Sequence, residues 1–436
     1  MKTILFIIFL LFLLSLSSCK EESIPPPQES VLNLKLEDVS CTEAWITLTT
    51  TNLQLPTSLY LLRNDIIFKT LNLQTADTLL YIDSLLPNQT YDFQISGIGN
   101  PASGIKSNIA SATTLDTTSH NFTFKTFEFG TSGSSVLYDV AIINENNIWA
   151  VGEIEIADTS ANGYTMYNAV HWNGIEWTLH RIMFKTICGQ PSSQNAYPAS
   201  SIIAFSENEN WVAQKGDQIA KIENGVQINS ICMPWTFSIN KIWGSSSNNL
   251  YVVGNNGNIA HYNGSQWTKI ESGTNLHIYD IWGAQDNNNS YEVLCIASNR
   301  FVDQGKKVFK INQMTVEQIS DSGLPWSLST VWFIPDRKYF IGGDGLYSSN
   351  LLDEYWVKDY SMPPYYKTKI RGSGFNNIFM VGAFGLLLHF NGRTWYNYQE
   401  YISGSFASVD MKDNLVVCVG GLNNNRAIIK TGKRIN

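Results

Sequence analysis

From residue 31 onward, apolar and polar residues alternate in short runs closed by clusters of Asn, Gly, Ser and Asp. Within 44–49, Ala44, Ile46 and Leu48 alternate with Trp45, Thr47 and Thr49, which predicts a half-buried strand. Residues 31–116 contain several such runs with turn residues between them. Ile, Val, Thr, Tyr and Trp abound while strong helix formers are scarce, which weighs against a helical bundle.

Beyond Ser119 a longer unit recurs, and its clearest copy runs from Ile242 to Thr268. It parses as a strand, an Asn-rich turn, a strand, a Gly turn, a strand, an Asn-Gly turn and a last strand. Asn263-Gly264 is expected to supply the positive φ values of a type I′ hairpin, with Trp267 packing on the outer strand. Four antiparallel strands of this kind make one propeller blade. Related units begin near Leu137, Ser201, Ile239, Ile278, Leu328, Lys367 and Phe406. The chain is therefore expected to be all-β, with a β-propeller over residues 120–436 of seven blades, six or eight being the other counts that irregular loops leave open. The last unit ends without an outer strand, whereas 121–130 imitates the outer strand around Trp267. That segment is expected to close the last blade and pair its bare edge.

Within 31–116, the run Leu86-Pro87-Asn88-Gln89-Thr90-Tyr91 resembles the E–F corner of fibronectin type III domains, which implies a β-sandwich. One departure is Trp45, which alternation sets on the face opposite Ile46, whereas that family usually buries its strand-B Trp. No Arg-Gly-Asp occurs, so integrin-like recognition is not implied. The resemblance implies a spacer or protein-contact module.

The chain opens with Met1-Lys2-Thr3, an apolar stretch over 4–16 and Leu16-Ser17-Ser18-Cys19. Thirteen residues are too few for a spanning helix, which needs about 20, and suit a secretory signal over 1–18. The end of this stretch resembles the bacterial lipobox, which implies acylation of Cys19 and a lipid anchor at the membrane. Lys20-Glu21-Glu22 is similar to the signal that sends lipoproteins of Bacteroidota-type bacteria to the cell surface. The expected address is thus the outer membrane, exposed outside the cell. Pro25-Pro26-Pro27 stiffens the tether formed by 19–30.

Of 436 residues only 15% are charged, and the net charge is −8, so the footprint of a nucleic-acid binder is missing. Cys295 and Cys418 lie in apolar strand patterns and read as core residues. Cys188 and Cys232 each follow an Ile near the ends of consecutive repeats. They are the candidates to pair in an oxidising compartment, with unpaired thiols the other outcome. Three copies of His-aromatic-Asn-Gly-x-x-Trp begin at His171, His261 and His389. They fall in separated blades, too far apart for the ~2 Å bonds of a shared zinc, and read as structural hairpin residues. No metal site is expected, and no Asp-x-Asp or Gly-x-Gly-x-x-Gly points to a cofactor.

By strand parity, the loops joining second to third strands share one face with the loops leading from blade to blade. That face collects the long and aromatic segments: Tyr197-Pro198, Met233-Pro234-Trp235, Leu324-Pro325-Trp326 and Pro363-Pro364-Tyr365-Tyr366. Variable loops on a rigid scaffold are where binding sites gather. Tyr197, Trp235, Trp326, Tyr365 and Tyr366 are therefore the candidate ligand contacts, for a glycan or a protein. No residue carries a catalytic signature. The alternative, a carbohydrate-active hydrolase or lyase, would rest on an Asp139–Asp410 pair across the last and first blades.

Overall fold

The computed structural model describes residues 29–98, 104–190, 192–300, 305–398 and 401–435. Residues 1–18, Cys19 and Lys20-Glu21-Glu22 lie outside them. Two compact units form, one built within residues up to Thr113 and the other on the chain from Thr114 onward.

The first unit has a three-stranded and a four-stranded antiparallel sheet. Ala44–Thr51 sits between Val31–Val39 and Asp77–Ile82 in one; Ile66–Leu73, Thr57–Arg63, Thr90–Gly97 and Ala110–Thr113 follow in order in the other. Leu34, Ile46 and Leu48 from the first sheet share a core with Leu61, Phe93 and Ile95 from the second. Trp45, although set opposite Ile46 by alternation, is only 2% exposed. Its ring lies 5.8 Å from that of Tyr81, its partner across the strands. On the same face Thr47 is half-buried and Thr49 and Thr51 are exposed, so the strand is half-buried as alternation predicts and Trp45 alone is covered there.

Among the described residues, the second unit has seven four-stranded antiparallel sheets and a short hairpin with two residues in each strand, Phe184–Lys185 with Gln194–Asn195. The inner strands are Val136–Asn144, Ala199–Ser206, Ile239–Ser246, His277–Gln285, Leu328–Ile334, Lys367–Gly374 and Gly404–Lys412. Each contacts the next, and the last contacts the first, so the ring closes. In six sheets the fourth strand follows in sequence. In the seventh it is Phe122–Phe129, paired with Ala427–Arg434 from Phe129 opposite Ala427 to Phe122 opposite Arg434.

Three repeated devices shape the blades. First, a glycine ends several second strands because the backbone of the inner strand crosses close by. A Cβ on Gly254 would stand 2.1 Å from the Ser238 carbonyl oxygen, and one on Gly382 2.0 Å from that of Tyr366. Second, every inner strand carries a bulge near its start, leaving Tyr138, Ser200, Asn240, Tyr279, Ser329, Thr368 and Ala407 unpaired. Bulges of this kind re-aim a side chain. Third, the Asn-Gly turns are four-residue loops, not the two-residue type I′ turns expected. Trp172 pairs with Trp177 and Tyr262 with Trp267, and only the glycine, at φ 92° in Gly174 and 90° in Gly264, is left-handed. The Asn side chain holds the loop instead: Asn263 Oδ1 accepts from the backbone N–H groups of Ser265 and Gln266 at 3.1 and 3.0 Å.

Residues 153–168 are mostly strand, since Asn147–Ala157 and Tyr164–Trp172 continue the hairpin. The buried Ile154 and the core-packed Ile156 extend the apolar pattern far enough to sustain pairing. Cys188 and Cys232 form a disulfide with Cα atoms 5.8 Å apart, while Cys295 and Cys418 are buried free thiols.

Candidate functional site

Immediately after each bulge, one residue per blade forms a ring around the axis: Asp139, Ser201, Lys241, Asp280, Thr330, Lys369 and Ser408. Several of these side chains accept from the backbone N–H of the next blade. Asp139 takes Ile202 at 3.0 Å, Ser201 takes Ile242 at 3.2 Å, Asp280 takes Val331 at 3.1 Å and Thr330 takes Ile370 at 3.1 Å. Asp139 also binds Ser201, Ser408 and Lys241. Asp280 receives a bidentate Arg371 at 3.0 and 2.8 Å and Lys369 at 2.9 Å. Burial opposes ionisation of both carboxyls. The Lys241 and Lys369 ammoniums overcome it at Asp139, and Arg371 and Lys369 at Asp280, so both stay below the ordinary range. Lys369 is pushed down to about 8 by its own burial.

Asp410, the other half of the expected acid pair, accepts from the N–H groups of Ile142 and Met411 at 2.7 and 2.8 Å. Burial raises its pKa. The structure therefore commits Asp139 and Asp410 to tying blades together. Arg371, absent from the sequence-based candidates, is the central cation of this network. Its signal was the alternation of cations, Lys367, Lys369 and Arg371, along one inner strand.

The three repeated histidines are cross-strand partners of aromatic residues. His171 stacks on Trp149 at 4.3 Å, His261 on Tyr251 and His389 on Phe379, both at 4.5 Å. Each Nε2 meets the side-chain oxygen of an Asn one strand inward: Asn147, Asn249 and Asn377, at 3.0, 2.6 and 3.1 Å. Burial lowers all three pKa values, that of His389 to about 3 with help from His120 and Arg434. Among the described residues, no group of three or more His, Cys, Asp or Glu could hold a metal ion.

The aromatic candidates separate into two sets. Tyr197 and Trp235 pack against blade cores; Tyr197 donates to Thr186 Oγ1 at 3.0 Å, and Trp235 stacks on Phe237 at 6.3 Å. Trp326 is half-buried. Tyr365 is 41% exposed and meets Phe384, itself 49% exposed, at 5.3 Å. Phe384 in turn lies 6.2 Å from Tyr401, which is 73% exposed. Three open rings thus stand in series on the loops of the sixth blade and its neighbours. Phe384 occupies the left-handed region at φ 57°, where the matching turn of the third blade has Asn256 at 56°. Asn tolerates that conformation and Phe does not, so a strained residue has been kept where its ring faces solvent. Sequence reasoning missed Phe384 and Tyr401. The available signal was Ala383-Phe384-Gly385 standing where the clearest repeat has Asn255-Asn256-Gly257.

Tyr366 closes this face toward the axis. Its hydroxyl lies 3.0 Å from Ser327 Oγ, and the Arg300 guanidinium lies 5.9 Å from its ring. Arg300 itself sits 3.7 Å over the ring of Tyr279, the bulged residue of the fourth blade.

A closed ring of four-stranded antiparallel sheets defines a β-propeller, the class to which the second unit belongs. Comparison with solved structures agrees. The chain is similar to a structure of YCF48 bound to D1 peptide, at 14% identity with a TM-score of 0.52, over 72% of this chain and 97% of that one. It is also similar to the WD40 β-propeller domain of Doa1, at 10% identity with a TM-score of 0.49, over 73% and 98%. At such identities the first likeness speaks for the fold alone. No protein-family model matches the sequence, and no curated protein does.

Proposed function

We propose that this is a lipid-anchored cell-envelope protein whose propeller binds a protein segment on the face bearing Tyr365, Phe384 and Tyr401. The observation that carries the binding reading is the strained, half-exposed Phe384 between two open tyrosines. Exposed rings on rigid loops supply contact area at small entropic cost, which is how interface anchors work. That a propeller of similar fold is described as bound to a peptide supports a protein ligand over a glycan. Acylation at Cys19 and surface display rest on the lipobox-like start, and the first unit serves as a fibronectin-like spacer. The Cys188–Cys232 disulfide suits an oxidising compartment. The hydrolase reading has no comparable support, since Asp139 and Asp410 are taken up by interblade bonds.

A combined peptide and glycan array tests the binding reading. Peptide hits should weaken at least about tenfold in Tyr401→Ala and Tyr365→Ala, with unchanged melting temperature. Hits confined to glycans would defeat the protein reading. Cys19→Ala should abolish fatty-acid labelling and membrane retention; a labelled, retained variant would defeat the anchor.

A further inference from the structure

In two blades a cation lies over the bulged tyrosine, Lys215 of the next blade over Tyr138 and Arg300 of the same blade over Tyr279, and the first of the two pairs is joined by a carboxylate. In the first blade, Tyr138 is the bulged residue, with the Lys215 ammonium 4.3 Å from its ring. Lys215 donates to the Tyr138 hydroxyl at 2.9 Å, and that hydroxyl donates to the Glu153 carboxylate. Cation, phenol and carboxylate are all present. In the fourth blade, Tyr279 is the bulged residue and Arg300 lies over its ring. Glu153 stands opposite Val136 in the first blade; the residue opposite His277, the matching position, is Ser298. Its hydroxyl is already committed, bonding the Leu328 carbonyl and N–H at 2.9 and 3.1 Å. Among the described residues, the carboxylate of the first blade has no counterpart at this position of the fourth.

The consequence is visible at Arg300. Its guanidinium makes no hydrogen bond or ion pair among the described residues, and its Nε is buried without a partner. An unmatched donor of this kind costs about 1–3 kcal/mol, so keeping one ordered on a tyrosine face is unfavourable unless something else meets it. A guanidinium is a planar fork matched to a carboxylate, and stacking on Tyr279 fixes its direction before any ligand arrives. Tyr366, reaching across to Ser327 of the fifth blade, brings a second phenol beside it.

We propose that Arg300, with Tyr279 and Tyr366, forms a carboxylate-binding site at the axial mouth of the propeller, filled by an acidic group of the ligand. This rests on the reading of that face as the binding face. On a peptide the carboxylate is either the C-terminal group or an Asp or Glu side chain.

The test has two arms. In the first, glutarate is added to the full chain at constant ionic strength, with chloride and inorganic phosphate as controls, and melting is followed. Glutarate should raise the melting temperature by about 1–3 °C in the parent chain and not in Arg300→Gln. An equal response in both, or a phosphate response as large as that of glutarate, overturns the site as assigned. In the second arm, peptides that bind are compared with amidated and Glu→Gln versions. The parent should lose about tenfold or more on the neutral version that removes the critical carboxylate, which tells C-terminal from side-chain recognition. Arg300→Gln should no longer distinguish the pair. A variant that still does overturns the proposal. If no peptide binds but the glutarate effect needs Arg300, the protein-ligand reading falls and the carboxylate site stands.

Discussion

Phe384 shows how a single side chain can be strained for use. Holding a non-glycine residue in the left-handed region costs about 1–2 kcal/mol, and Asn, which bonds its own backbone there, escapes much of it. Phe384→Asn, which copies Asn256 of the third blade, should therefore raise the melting temperature by a few degrees while weakening ligand binding. A lower melting point would show that its contacts with Tyr365 and Tyr401 outweigh the strain. His389 acts differently, because its ring is buried among Phe122, Phe379 and His120. Its pKa falls from an ordinary 6.5 to about 3 in the fold, so the unfolded chain binds more protons between those values. Stability is then complete above pH 6.5 and declines as the pH falls toward 3, at up to about 1.4 kcal/mol per pH unit for this group. His389→Gln should flatten that decline in urea titrations at pH 4–7. His171 and His261, shifted in the same direction, leave a residual slope.

At the level of strands, the repeated unit was legible because each of its devices needs a particular residue type. The close crossing at Gly254 admits no Cβ, and the loop after His261 needs both an Asn acceptor and a left-handed glycine. Those requirements imprint themselves on every copy that uses the device. The bulges left no such mark. Any residue can occupy an unpaired position, and the set ranges from Ala407 to Tyr279. Phe122–Phe129 supplies the outermost strand of the seventh sheet, where it covers Ala427, Ile428 and Ile429. A chain beginning at His120 should melt cooperatively and stay soluble. One beginning at Thr131 exposes an unpaired edge and should aggregate or melt at least about 10 °C lower. Identical melting of the two chains would refute the contribution of this strand.

The ring as a whole is joined by polar groups near its axis as well as by the apolar cores between blades. Asp280 takes bonds from Thr330 and Val331 of the fifth blade and from Lys369 and Arg371 of the sixth. Asp280→Asn keeps the shape and removes the charge, leaving the buried Arg371 without its counterion and Lys369 with Asp139 alone. Breaking a buried pair in this way costs about 3–5 kcal/mol, and because three blades share the residue the loss should appear as one lowered transition. Guanidinium denaturation read by tryptophan fluorescence would show it. A change below about 1 kcal/mol would mean that solvent reaches the network.

What the chain determined by itself was local and periodic. The two-residue alternation made the strands, turn chemistry at Asn and Gly made the hairpins, and repetition of the unit implied a ring. These are consequences of backbone geometry over a few residues, so they can be read without knowing what lies across the fold. Tertiary structure decided which side chains meet. Asp139 and Asp410 looked like a possible acid pair until partners from distant segments claimed their oxygens: Lys241 for one, Ile142 for the other. Tyr197 and Trp235 looked like open rings until blade cores covered them. Phe384 and Arg300 emerged only once neighbouring blades showed what stood beside each and what did not. A side chain's function depends on contacts across hundreds of residues, and no short-range pattern records them.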